Sequence, residues 1–336
     1  MTIKRKSIPK GVLIHCYQRT INGFLIFYSV SDFLVFFTIL CTTARKYKIR
    51  ILSVCLMVDH IHLSMIEDRK GDLSNFVRDY SKTFSFFHNR TCHHTGAFFE
   101  SPFGRAPKFG EKKIRTNLVY VGNNAPERHL CAKAEEYRWN FLAYAVSDHP
   151  FSEELVVGKS SRPLQRIRRR ILSLYHKNHP LPYAFLQASF SGLNRKEKDQ
   201  LVDFIVSTYN VIDYASSLQF FTSYGDMLTA MHANIGSEHD IKEVFVGKSD
   251  AYYAGMSAIL LKEKGFTDIH DMLALDLDEK FKLFLLLNGR TDALPRQIAS
   301  FLRMPITIRD SRVGNAPLDD ATEIKWDVQA SPVRAK

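Results

Sequence analysis

Two histidines stand two residues apart in "HIHLSMI", His60 and His62, inside a run that otherwise reads as a buried strand. Side chains alternate along a strand, so His60, His62 and Ser64 share one face, and Ile61, Leu63 and Met65 share the other. The apolar face packs. The other holds two imidazoles side by side, a common ligand pair for a divalent metal. Two ligands do not complete a site, and a reacting group is needed beside them. "EKKIRTNLVYVGNN" offers candidates: Lys113, Asn117, Tyr120 and Asn124 recur at helical spacing and form one stripe. Ile114, Leu118 and Val121 form the neighbouring stripe, which faces the core. If this helix lies beside the histidine strand, the Tyr120 hydroxyl can reach a metal there.

The chemistry open to such a group is specific. A phenol with a pKa near ~10 is a poor nucleophile at neutral pH. A bound cation makes a phosphate electrophilic and stabilises the charge that develops on it. Tyrosine attack on a phosphodiester then gives a phosphotyrosine and a free hydroxyl. A second hydroxyl can reverse the link without ATP, which suits cutting and rejoining a strand. Other polar groups have plainer readings. Tyr80, Tyr137, Trp139 and Tyr144 read as packing, and alternating histidines can be an accident of a polar face. Cys92, His93 and His94 form half of a zinc pattern whose second half is missing.

The elements that must position these residues are legible from periodicity. "KGVLIHCYQRT" reads as a strand, Asn22-Gly23 as a hairpin turn and "FLIFYS" as the returning strand. A helix follows from Asp32 to about Tyr47, with Phe33, Phe36, Phe37, Leu40 and Ala44 on one face. "IRILSVCLMV" and "HIHLSMIED" are strands joined tightly around Asp59. "GDLSNFVRDYSKTFSFFHNR" is a second helix, and residues 91–110 are a loop with a short strand. The third helix carries Tyr120, and Pro126 discourages its continuation. The expectation is an α+β fold, a mostly antiparallel sheet with helices on one side and its other face open to a substrate.

The chain has 336 residues, a formal net charge of +11 and a sequence pI of about 9.3, which favours a polyanionic partner. Five scattered cysteines without CxxC spacing read as buried thiols in a reducing cytoplasm. "FLIFYSVSDFLVFFTILC" contains Asp32 and two serines, so no membrane span is expected. Beyond residue 150 the texture turns basic and helical. The expected division is a catalytic domain over 1–150, a basic helical region over 151–235, a helical region over 236–315, and a loose tail over 316–336. Within the third, "DEKFKLFLLLNGRTDALPRQIASFLRMP" is a candidate helix-turn-helix or an αα-hairpin. Arg105, Lys108, Lys112, Lys113 and Arg115 flank the proposed site and could hold a nucleic-acid strand. Arg166 and Arg169, in a run with Arg162, Arg168 and Arg170, could contact phosphates. Arg296 and Gln297 open the last helix and could reach base edges.

Order and combination carry a resemblance. A histidine pair on a strand, one tyrosine on a later helix, and asparagine four residues on resemble the HUH (His-hydrophobic-His) single-tyrosine transposases, and most of all their REP-associated branch. "EEYRWNFLAY" (135–144) and "TGAFFESPFGRAPKF" are similar to segments of that branch, and the likeness spans roughly residues 11–145. It implies a ferredoxin-like antiparallel sheet with helices, followed here by an all-α C-terminal region. It implies Tyr120 as nucleophile, His60 and His62 as ligands of Mg²⁺ or Mn²⁺, and Asn124 as auxiliary ligand. The implied partner is single-stranded or hairpin DNA, cleaved to a 5′-phosphotyrosine, and the implied setting is the cytoplasm, at the nucleoid. Two copies could pair as a homodimer. The family has asparagine directly before proline, whereas this chain has "NNAP", so Asn123 competes with Asn124 for the third position. Two rival readings are a catalytically silent DNA-binding regulator, and a metal-dependent phosphoesterase that forms no covalent intermediate.

Overall fold

A computed structural model describes residues 8–92, 96–233 and 249–304. His93, His94 and the tail over 316–336 lie outside the described residues. Four strands, β1 (Leu13–Arg19), β2 (Arg50–Leu56), β3 (His60–Ile66) and β4 (Gly104–Lys108), form one antiparallel sheet in the order β2-β3-β1-β4. With α1 (Val30–Tyr47) after β1 and α2 (Asp72–Thr91) after β3, the chain runs βαββαβ, which is the ferredoxin-like arrangement. The helix α3 (Glu111–Glu127) follows β4.

Alternation sorts the sheet as the pattern predicts. Ile14 and Cys16 of β1 lie opposite Met65 and Leu63 of β3 and bury themselves against α1 and α2. Helix α1 is buried from Asp32 to Ala44 around its whole circumference, because the sheet lies on one side and later helices on the other. This explains a sequence that is apolar all round. Ser29 caps it, with Asp32 closing a capping box, so the helix begins two residues before Asp32.

Three expectations are corrected. "FLIFYS" is not a strand: both edges of β1 are taken by β3 and β4, so residues 24–29 have no ladder to join. Asn22 and Gly23 do take positive φ, but the chain then turns into packed coil, and the Ile26 and Phe27 amides donate to the Val58 carbonyl. Pro126 does not stop α3. Proline lacks the N–H that would reach the Gly122 carbonyl, and that carbonyl accepts from Asn140 Nδ2 at 3.5 Å. Nor is the second sheet face open. Helix α3 packs across it, burying Leu118 and Val119 with Leu13 and Leu52.

The C-terminal part is all helical among the described residues: α4 (Arg162–His176), α5 (Tyr183–Ser191), α6 (Arg195–Tyr209), α7 (Tyr214–Leu218), α8 (Tyr224–Ala233), α9 (Ala251–Glu263), α10 (Leu277–Asn288) and α11 (Pro295–Leu302). One apolar cluster runs from Ile14 to Ile212, so α4–α6 share a core with the sheet layer and no break in packing occurs at residue 150. Ile212 bridges Ile51 at the edge of β2, and the Asp213 amide donates to the Ile51 carbonyl. Residues 253–304 build a second cluster that closes on Leu25 and Val58. A buried node ties it down: His270 Nε2 meets both Asp32 carboxylate oxygens at 2.9 and 3.0 Å, and the Tyr183 hydroxyl donates to Asp32 at 2.6 Å. No helix among the described residues is long and apolar enough to cross a membrane.

Candidate active site

His60, His62 and Ser64 project from one face of β3, and all three are buried. The neighbouring strand adds a residue that the motif does not include. His15 of β1 lies opposite Ser64, on the same face, and its Nε2 sits 2.9 Å from His62 Nδ1. Tyr17, two residues along, lies opposite His62, and Arg19 opposite His60. The signal is present in "LIHCYQR", where histidine, tyrosine and arginine alternate with apolar residues. It gains weight only when antiparallel pairing puts that face beside the histidine pair.

Helix α3 brings the tyrosine. The Tyr120 ring meets His62 and His15 edge-on, with centroids 5.6 Å away in each case. One turn earlier, Asn117 Oδ1 accepts from the Ser64 hydroxyl at 2.8 Å. One turn later, Asn124 Nδ2 donates to the Tyr120 carbonyl at 2.9 Å. The stripe expected from spacing thus faces the histidine strand, with Lys113 exposed at its head. Asn123 points the other way, donating to the Met231 carbonyl of α8 at 2.7 Å. It is no rival to Asn124.

The imidazoles fit a divalent cation by the chemistry of their second nitrogens. His60 Nδ1 is held by Asp59 Oδ1 at 2.5 Å, and His62 Nδ1 by His15 Nε2. Each ring would therefore present Nε2 to a cation, with its orientation set from behind, as ligating histidines are in metal proteins. His62 then donates from Nδ1, and His15 accepts as its Nδ1-protonated tautomer. Among the described residues no group of three or more His, Cys, Asp or Glu side chains is placed to hold a metal. A cation here would rest on two imidazoles, the Asn124 Oδ1 and oxygens from water or substrate, a set that suits an ion retaining part of its hydration shell.

Residues 26–124 match the family described as Transposase IS200 like. That span holds His60, His62, Tyr120 and Asn124 together. Over that span the chain is similar to IS200-like transposases. A solved structure of a REP-associated tyrosine transposase bound to a REP hairpin is 14% identical, covering 44% of this chain and 87% of its own, with a TM-score of 0.38. No curated protein matches the sequence. His15 lies outside the matched residues.

Around this centre the C-terminal helices make further contacts. Arg115 of α3 donates to Asp226 of α8 and to the Phe220 carbonyl, and stacks over Phe221. Met231 packs so closely against Gly122 that a Cβ there would lie 2.6 Å from it. Asp250, just before α9, is buried, and its amide donates to the Arg128 carbonyl at 3.0 Å where α3 ends; burial and the charge of Asp59 push its carboxyl up to about 7.

The other basic candidates divide. Lys112, Lys113, Arg162, Arg166, Arg169 and Arg296 are exposed. Arg105 is half-buried in β4 and Lys108 is buried at its end. Arg115 is occupied by α8, so it braces the tyrosine helix. Gln297 is corrected outright: it is fully buried, its Nε2 donates to the Ser249 carbonyl and its Oε1 accepts from the Leu294 amide. Both ends are used inside the protein, and it cannot read a base in this arrangement. Helix α11 likewise buries Ile298, Phe301 and Leu302 against Leu25 and Val58, a core role for half of the candidate helix-turn-helix.

Proposed function

We propose that this protein nicks and rejoins single-stranded DNA beside a hairpin, in the manner of the REP-associated branch, with Tyr120 as nucleophile. The observation that carries the reading is the meeting of the Tyr120 ring with His62 and His15 of the same chain. Residues some sixty positions apart converge on one face, as attack on a cation-bound phosphate requires.

A divalent cation, Mg²⁺ or Mn²⁺, would polarise the scissile phosphate and stabilise the charge gained in the transition state. The chain's own groups do the rest. His60 and His62 hold the position, Asp59 and His15 fix their rings, and the Asn117–Ser64 bond aligns α3. The Tyr120 oxygen forms a bond to phosphorus as the bond to the 3′ oxygen breaks. The phenol loses one proton and the 3′ oxygen gains one. Rejoining is the reverse, with another 3′ hydroxyl as attacker.

A cleft of about 300 Å³ lined by Tyr17, Gln18, Arg19, Glu100, Phe103 and Gly104 lies next to this face. Tyr17 and Arg19 pair with His62 and His60, so the cleft is the natural path for the strand. Because Tyr120 and the histidines are buried, the bound strand has to displace side chains or shift α3 to reach them.

The test is a labelled hairpin oligonucleotide with a single-stranded flank, Mg²⁺ or Mn²⁺, and a denaturing gel. The parent should give a covalent adduct. Tyr120→Phe should give none while still shifting the hairpin in a native gel. An adduct that survives the substitution overturns the assignment, and release of free 5′-phosphate with no adduct would point to a phosphoesterase instead.

A further inference from the structure

The cleft beside the histidine face does not stop at the sheet. It meets a second cleft of about 540 Å³ on the α2 side, and the two share Gln18, Glu100, Pro102 and Phe103. One wall is α2, which lines it with Ser74, Arg78, Ser81, Lys82 and Ser85 at helical spacing. The other wall is the segment 97–103, which is tied to the end of β1. The Glu100 amide donates to the Arg19 carbonyl at 2.9 Å, and the Ile21 amide to the Phe98 carbonyl at 3.1 Å. The walls differ in chemistry. Hydroxyls and the exposed Arg78 and Lys82 line α2, and the contact of Arg78 with Asp79 at 3.3 Å is an exposed pair that is easily exchanged. Pro102 and Phe103 offer apolar surface, and Glu100 repels phosphate. A nucleic-acid strand laid here keeps its phosphates on the α2 side and turns its bases toward Pro102 and Phe103.

Gln18 stands at the junction of the two clefts. Alternation along β1 turns it to the α2 face, away from Tyr17 and Arg19, and it is 5% exposed. Its Oε1 accepts from the Tyr80 hydroxyl at 2.9 Å and from the Ser81 hydroxyl at 3.1 Å. Two donors on one oxygen fix how the carboxamide lies, and its other end, Nε2, is a donor. We propose that Gln18 presents Nε2 to one unpaired base of a DNA strand that passes around the end of β1, and so sets which base is accepted there. A fixed donor favours a base with an acceptor at that point and disfavours one that places a donor against it. This rests on the reading of the first cleft as the path of the strand, and adds the residue that reads the strand's sequence.

The experiment uses the full chain carrying Tyr120→Phe and a labelled hairpin oligonucleotide with single-stranded flanks. Each flank position is varied through the four bases, and binding is read by fluorescence anisotropy. The Tyr120→Phe chain should prefer one base at one flank position by about 10-fold, the size of a well-placed base contact. Gln18→Glu keeps an acceptor for the Tyr80 and Ser81 hydroxyls and puts an oxygen where Nε2 was. It should abolish that preference or move it to another base, and leave the preferences at other positions intact. Tyr80→Phe combined with Ser81→Ala releases Oε1, so either end of the amide can face the cleft, and the preference should relax although Gln18 remains. Lys82→Ala, at an exposed position, should weaken every sequence equally and flatten the salt dependence by about 0.7 in log K against log salt. A merely structural Gln18 would change melting temperature or weaken all sequences alike. Base preferences unchanged by Gln18→Glu and by the double variant, or an equal loss for every sequence, overturn the proposal, as does a chain that shows no base preference. Adduct formation by the chain with Tyr120 intact would stand through any of these outcomes, whereas a chain that neither binds the hairpin nor forms an adduct overturns the underlying reading as well.

Discussion

The Ser64 hydroxyl donates to Asn117 Oδ1 at 2.8 Å, and this buried bond fixes the register of the tyrosine helix on the histidine strand. Ser64 is two residues past His62, and Asn117 is three before Tyr120. Locking the first pair sets the separation of the second. Removing one partner leaves the other buried and unsatisfied, which costs about 1–3 kcal/mol. Ser64→Ala is therefore expected to lower the midpoint of urea unfolding and, if adducts form in the parent, to slow them by more than the stability loss explains. A variant that unfolds earlier but reacts at the parental rate under folding conditions would separate register from chemistry and count against this role.

His15 has no place in the motif, yet it holds His62 Nδ1. His15→Phe keeps an aromatic ring, a somewhat larger one, and removes the acceptor. Mn²⁺ affinity should fall by about 10–100-fold, as when other outer-shell partners of metal-bound histidines are removed. Titration calorimetry on the Tyr120→Phe background reads this directly. Equal affinities for the two proteins would show that the ring is packing alone.

The Asp32–His270 node predicts a pH dependence. His270 faces Asp32 and Asp268, and these carboxylates raise its pKa to about 10 despite a burial effect that works the other way. Burial raises the Asp32 carboxyl, but His270, His88 and the Tyr183 hydroxyl outweigh it and hold the group well below its ordinary range. A raised histidine pKa gives stability that is complete below about 6.5 and is lost as pH rises toward about 10. The depressed Asp32 gives stability that is present above its unfolded value, near ~3.9, and is lost below it. Urea midpoints should be highest between roughly pH 4 and 6.5 and decline through pH 10. Breaking a buried pair costs about 3–5 kcal/mol, so His270→Gln should be less stable at pH 6 and flatten the alkaline decline. A decline of the same slope in that variant would place its cause elsewhere.

Arg162, Arg166 and Arg169 lie on one exposed face of α4. If that face meets a DNA backbone, replacing all three with alanine should weaken hairpin binding at low salt. It should also flatten the dependence of log K on log salt, by about 0.7–0.9 for each phosphate no longer neutralised. Fluorescence anisotropy across a salt series measures both. Parental slopes in the variant would make the face a solvated surface.

Much of the site is legible in the sequence because short-range geometry forces it. A period of two puts His60 and His62 on one face of any strand, and helical spacing puts Asn117, Tyr120 and Asn124 on one stripe of any helix. The order of elements also follows from periodicity, and with it the sheet-and-helix class. Readings that depend on neighbours fail. Asn22-Gly23 makes a turn in either context, but whether "FLIFYS" becomes a strand depends on β1 having a vacant edge. Whether Gln297 reads DNA or braces Ser249 depends on what covers α11. Spacing puts Phe33, Phe36, Phe37, Leu40 and Ala44 of α1 on one face, but what covers its other, equally apolar side is settled only when α5 and α6 return to it from more than a hundred residues away.

The amino-acid sequence by itself determined the imidazole pair, the tyrosine stripe and the basic charge, since each is a matter of residue type and local repeat. Only the tertiary structure decided that His15 stands behind His62, that Asn123 turns to α8 while Asn124 keeps to the tyrosine helix, and that the Asp250 amide meets the Arg128 carbonyl where α3 ends. Antiparallel pairing and the docking of distant helices bring those groups together, and no spacing along the chain encodes a distance across it.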